Sequence, residues 1–184
     1  KVSTSNFWHE RRRILSEHTD VSLESLEELH KTEKRTLGYI KPLKILDFVI
    51  EPSSREWEAE KLEALKSATQ PRLFEKNTRK SKVLEKIPFS FFYRFVCNDP
   101  SCQGHKLQIL DWEVSESFRK WRKSYKSEDA ALRKMRQRYF EEFTHTKDLG
   151  LILGTIFSRD RFGAFSIIGL VYPPKLQFEQ LSLF

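Results

Sequence analysis

Two segments near the middle of the chain, Phe89–Cys97 and Lys106–Val114, concentrate aromatic and β-branched residues in the way that half-buried strands do. Between them lies Cys97-Asn-Asp-Pro-Ser-Cys102-Gln-Gly-His105, whose Asp-Pro and Gln-Gly steps favour a tight turn. The two segments are therefore expected to pair as antiparallel neighbours. Downstream, Phe118, Trp121 and Tyr125 recur on one helical face, and Leu132, Met135, Tyr139 and Phe143 on another, which predicts two amphipathic helices. Leu149–Phe157 and Ala164–Tyr172 then flank Ser158–Gly163 as a closing hairpin, ended by Pro173-Pro174, which give up ladder donors. Gly150, Gly154 and Gly169 fall inside those strands, where bulges or close packing account for them. Strands and helices in this order predict an α+β fold, an antiparallel sheet with helices packed on one face.

The earlier part of the chain reads less sharply. Leu23, Leu26 and Leu29 recur at near-helical spacing, with Thr19, Asp20 or Ser22 as candidate caps. Lys44–Ile50 reads as a short strand, and Ser53-Ser-Arg-Glu56 as a capping box opening a helix through Trp57, Leu62 and Leu65. Ser67–Lys86 is polar and basic with little periodicity. The expected organisation is a mostly helical region with one short strand over 1–66, a basic loop or linker over 67–87, an α+β core over 88–174 and a tail over 175–184.

Fifteen Phe among 184 residues, and 13% aromatic residues in all, are too many for a chain that stays unfolded. Lys and Arg outnumber Asp and Glu by 33 to 26, a net charge of +7 that favours a polyanionic partner, nucleic acid first. With no apolar run of about 18 residues and no charged-then-apolar leader, the expected location is the cytoplasm, with no membrane partner and with nucleoid association if DNA is bound.

Three constellations carry chemistry. Cys97, Cys102 and His105 offer two thiolates and an imidazole, a donor set for one zinc ion. A structural site wants a fourth ligand, and His145, another His or Asp99 would have to supply it. Asp111 and Glu113 stand two apart on the expected second strand, hence on one face, the spacing with which metal-dependent nucleases hold Mg²⁺ or Mn²⁺. The common nuclease pattern adds a Lys two residues after an acid, and position 115 is Ser115. Arg94, Arg119 or Arg122 would pair with these acids if they serve structure alone. Finally, Arg119, Lys120, Arg122, Lys123, Lys126, Arg133, Lys134, Arg136 and Arg138 crowd the two helices, a surface suited to phosphates of DNA without reading its sequence.

The last five residues, Gln180-Leu181-Ser182-Leu183-Phe184, resemble at every position the bacterial sliding-clamp-binding motif, Gln-Leu-(Ser or Asp)-Leu-Phe. By average residue usage such a pentapeptide arises about once in several hundred thousand positions. The resemblance implies apolar anchoring by Leu181, Leu183 and Phe184, a rim hydrogen bond from Gln180, and an exposed Ser182. The ten residues from Lys175 reach roughly 33 Å when extended, enough for a tether. The combined expectation is a DNA-associated protein of replication, repair or genome defence, recruited to the clamp by its tail. A metal-dependent nuclease using Asp111 and Glu113, and a zinc-stabilised interaction module, are the alternatives.

Overall fold

The structure, a computed structural model, describes residues 4–68, 85–156 and 164–175. The clamp-like tail, most of the 67–87 loop and the Ser158–Gly163 turn lie outside the described residues. In chain order the elements are α1 (Thr4–Glu17), β1 (Thr19–Asp20), α2 (Leu23–Glu33), β2 (Leu37–Ile40), β3 (Lys44–Pro52), α3 (Ala59–Ala68), β4 (Phe89–Val96) and β5 (His105–Ile109). Then follow α4 (Trp112–Tyr125), α5 (Glu128–Arg136), a π-turn (Gln137–Glu142), α6 (Phe143–Thr146), β6 (Gly150–Thr155) and β7 (Phe165–Val171). The expected α+β class holds. No helix among the described residues is long and apolar enough to cross a membrane.

Seven strands form one sheet in the order β1-β2-β6-β7-β5-β4-β3. The sheet is mostly antiparallel but mixed, because β1 runs parallel to β2 and β5 parallel to β7. The β4–β5 pair is antiparallel as expected, and its register sets Arg94 opposite Lys106 and Phe95 opposite His105. The closing hairpin pairs β6 with β7 around an irregularity between Ile152 and Leu153. Close packing explains the strand glycines beside it: a Cβ on Gly150 would collide with the Tyr39 ring, and one on Gly154 with Ile168.

By contact, the chain divides into a unit of Lys1–Ile50 with Phe91–Phe184 and a smaller unit of Glu51–Ser90. The early strands β1 and β2 share the sheet with the later ones. Within the smaller unit, Ser53 N–H donates to the Pro88 carbonyl at 2.9 Å, and Lys86 reaches the Glu56 carbonyl while lying 5.6 Å from the centre of the Trp57 ring. The capping box expected at Ser53–Glu56 does not open a helix. Glu56 N–H turns to the Ser54 hydroxyl instead, and the first helical bond runs from Leu62 N–H to the Glu58 carbonyl.

Helices cover one face of the sheet. Gly38 of β2 admits Leu26 of α2, and the register carries that face across Leu153 and Ile167 to Ile109 and Phe91. There Phe91 meets Phe118 of α4 at 6.1 Å between ring centres. Phe48 adds to the same cluster, stacking on Phe91 at 5.8 Å and on Tyr139 at 5.9 Å. Each such ring pair is worth about 0.5–1.5 kcal/mol beyond area burial.

The helix from α5 to α6 widens into a π-turn for a reason legible in its apolar spacing. Met135, Tyr139 and Phe143 are all buried, four residues apart. In a regular α-helix at 3.6 residues per turn, steps of four drift around the axis. A wider turn, in which Phe143 N–H donates back to the Arg138 carbonyl, keeps all three inward. The Tyr139 carbonyl then accepts from the Tyr93 hydroxyl at 2.5 Å. Tyr93 is fully buried. Tyr93→Phe should therefore leave that carbonyl unsatisfied and lower unfolding stability by about 1–3 kcal/mol, measured by urea denaturation with the m-value unchanged.

Candidate functional site

The turn between β4 and β5 assembles the cysteine and histidine donors. Cys97 follows the last residue of β4 and is 1% exposed, while His105 opens β5. Asp99 shapes the loop by accepting from both the backbone and the hydroxyl of Ser101, bonds that hold its carboxyl below the ordinary value. Gly104 takes φ +92°, a conformation few other residues adopt, and returns the chain to β5. As a result one donor atom from each of Cys97, Cys102 and His105 lies within 4.8 Å of the others. Both cysteines are free thiols.

Backbone amides surround the sulfurs. Cys97 N–H donates to Cys102 Sγ at 3.2 Å, and Leu23 N–H, in the first turn of α2, donates to the Cys97 sulfur. Burial nonetheless pushes the Cys97 thiol up to about 12, the Leu23 amide opposing that rise. The closeness of the three donors is what lets the cluster hold a metal ion, and a sulfur so buried becomes a thiolate near neutrality only with a cation beside it. None of the expected fourth ligands, Asp99, His145 or another His, joins the group among the described residues. Asp99 is turned into its own loop, and His145 Nδ1 lies 2.5 Å from the Glu141 carbonyl on α6. What the sequence did not reveal is Glu24, whose Oε1 is 3.4 Å from His105 Nε2. Only the capping pattern at Ser22 hinted where that carboxylate would stand, and nothing linked it to a turn some eighty residues later.

The expected strand pair of acids is corrected by the fold. The second strand stops at Ile109, and Asp111 is the N-cap of α4, which places Glu113 within the first turn of that helix. Asp111 accepts from Glu113 N–H at 2.7 Å and from Leu170 N–H of β7 at 2.9 Å. Glu113 accepts from the Tyr172 hydroxyl at 2.6 Å, and burial with this bond raises the Tyr172 pKa. Both carboxylates are thereby engaged in fastening α4 to β7, not aligned on one strand face to grip a cation. The side chains proposed as their structural partners are elsewhere as well. Arg94 faces Lys106 across the ladder, Arg119 pairs with Glu116, and Arg122 lies 3.9 Å from Glu128.

The remaining basic residues divide in two. Arg136 pairs with Asp47 at 2.9 Å and also reaches the Phe48 carbonyl, Arg138 pairs with Glu142, and Lys134 donates to Gln137. Lys120, Lys123, Lys126 and Arg133 are exposed and have no ion pair or side-chain hydrogen bond among the described residues. They surround the turn where α4 ends at Lys126, in the left-handed conformation, and Ser127 caps α5.

Because Asp111 supplies a cap and a bond to β7, Asp111→Ala should lower stability by about 1–3 kcal/mol while leaving metal content unchanged. Chemical denaturation and metal analysis of the same preparation would check both halves. A variant of unaltered stability would show that the two amides find other acceptors.

No curated protein and no solved structure matches the chain. A family model described as a domain of unknown function, DUF8757, matches residues 18–184, and the chain belongs to that family.

Proposed function

We propose that the chain is a zinc-stapled DNA-associated protein that contacts phosphates through the α4–α5 turn and is recruited to the replication sliding clamp by Gln180–Phe184. The observation that carries the DNA reading is the set of four exposed cations, Lys120, Lys123, Lys126 and Arg133, that the described acids leave uncommitted. Five of the nine basic positions on these helices are held by acids, carbonyls or an amide, which leaves the uncommitted charge running from the second half of α4 through the turn into α5. Beside it a hollow of about 410 Å³ is lined by Tyr125, Arg133, Lys134, Arg136, Gln137 and Glu141, three cations and one acid next to a half-exposed ring. Phosphate with an adjoining base or sugar fits that chemistry.

The address rests on the terminal pentapeptide, whose anchors would insert into an apolar groove of the clamp. Zinc is the metal that two thiolates and an imidazole select, and a closed site of this kind serves folding rather than catalysis. Nothing in the geometry of Asp111 and Glu113 favours the nuclease alternative over this reading.

Two measurements test it. Replacing Lys120, Lys123, Lys126 and Arg133 by Ala should weaken duplex DNA binding irrespective of sequence and reduce the slope of log K against log salt by about 0.9 for each lost phosphate contact. An unchanged slope would place DNA binding elsewhere or nowhere. Deleting Gln180–Phe184, or changing Leu183 and Phe184 to Ala, should abolish clamp binding in calorimetry, since each anchor contributes about 1.5–3 kcal/mol through burial. Undiminished binding by both variants would sink the clamp address.

A further inference from the structure

The imidazole of His105 faces two acceptors with one ring nitrogen. Its Nε2 lies 3.2 Å from Cys102 Sγ and 3.4 Å from Glu24 Oε1. A neutral ring nitrogen offers one proton or one lone pair, so a sulfur and a carboxylate converging on it compete. A cation set among them attracts all three. In tetrahedral zinc sites with bonds of 2.0–2.3 Å, neighbouring ligand atoms stand about 3.3–3.8 Å apart, and both separations at Nε2 are close to that range.

We propose that Glu24 is the fourth ligand of the metal held by Cys97, Cys102 and His105, closing a set of two sulfurs, one nitrogen and one carboxylate oxygen. The assignment rests on the zinc reading above and adds to it the ligand that the turn itself lacks. The first turn of α2 is built to present this carboxylate. Ser22 and Ser25 cap each other's backbone amides, which fixes the turn, and Leu23 N–H is tied to the Cys97 sulfur. Glu24 is next in sequence, and its carboxylate, near His105 but outside the 4.8 Å group of the three donors, sits on a side chain 59% exposed that can swing in to close on the sulfurs. His105 is 11% exposed, so the ion would be sealed on the protein side and reached from solvent along Glu24.

The consequence is a staple between elements that no disulfide joins. With Glu24 as ligand, the metal fastens α2 to the β4–β5 turn, and α2 in turn covers β2 through Leu26 and Gly38. Its α2 arm is the weakest bond of the four, because a carboxylate binds zinc less tenaciously than thiolate does and is the one open to water.

The test uses the full chain loaded with Zn²⁺, or with Co²⁺ as a spectroscopic substitute, in wild type, Glu24→Gln, Glu24→His and Glu27→Gln. Zinc affinity, read by competition with a chromophoric chelator, should fall at least about tenfold in Glu24→Gln, the lower end of the loss seen when even a supporting partner is removed. It should match or exceed wild type in Glu24→His and be unchanged in Glu27→Gln. The cobalt d–d bands should change in Glu24→Gln, while the thiolate charge-transfer band persists. Melting temperatures in excess chelator should be equal for wild type and Glu24→Gln, which separates loss of a ligand from loss of fold. A wild type that takes up no zinc would remove the zinc reading and this inference together. Wild-type zinc uptake with equal affinity and equal cobalt spectra in Glu24→Gln would overturn the inference alone.

Discussion

The hydroxyl of Tyr93 is the polar centre of an otherwise apolar core, and the helical layer is organised to receive it. A buried phenol without a partner costs on the order of 1–3 kcal/mol. The Tyr139 carbonyl, within the π-turn at Gln137–Glu142, accepts the bond. From that point the buried side chain of the same residue reaches α4, its hydroxyl 2.8 Å from that of Ser117, and burial raises its pKa to about 12. Sheet, widened helix and α4 thus meet at two tyrosines, and the aromatic cluster packs around them.

Fastening α4 at that junction settles what its ends can do. The N-terminal end is consumed by Asp111, Glu113 and their bonds to Leu170 and Tyr172. Its C-terminal end leads into the turn before α5, where Arg122 faces Glu128 while Lys123 and Lys126 are exposed and have no ion pair among the described residues. The same helix is therefore structural at one end and available at the other, which is the physical basis for placing a polyanion at the turn rather than at the acids. The cysteine and histidine donors lie at the other end of β5, in the β4–β5 loop that the Cys102 N–H to Asp99 carbonyl bond closes.

Much of this was legible in the residues. Periodicity located β4, the two amphipathic helices, the closing hairpin and the donor turn, because in each the apolar spacing and the turn chemistry agree. It failed where two signals competed. Lys106–Val114 has the composition of a strand, yet Asp111 is a strong N-cap, and the cap ended the strand at Ile109. Ser53–Glu56 has the spacing of a capping box, yet the Ser54 hydroxyl claimed the Glu56 amide. The parallel pairing of β5 with β7 and the approach of Glu24 to His105 depend on tertiary contacts between distant segments, and single-segment patterns carry no trace of them.

The strand order has a consequence for how the chain comes to be folded in a cell. β2 has early β1 on one side but finds its other neighbour in β6, with Leu37 opposite Gly154, and β5 likewise has β4 on one side and finds β7 on the other, so the centre of the sheet is supplied by segments made long after its flanks. At synthesis rates of about 5–20 residues per second, β2 and β5 wait on the order of ten seconds with open ladder edges. Exposed edges of that kind recruit strands from other chains. The short length of β2, four residues, limits that hazard at one site, and the charged pair Arg94 and Lys106 limits it on the hairpin. A nascent chain stalled before Gly150 would consequently hold two strand groups, β1–β2 and β3–β4–β5, each with one ladder edge open, a natural client for a ribosome-bound chaperone.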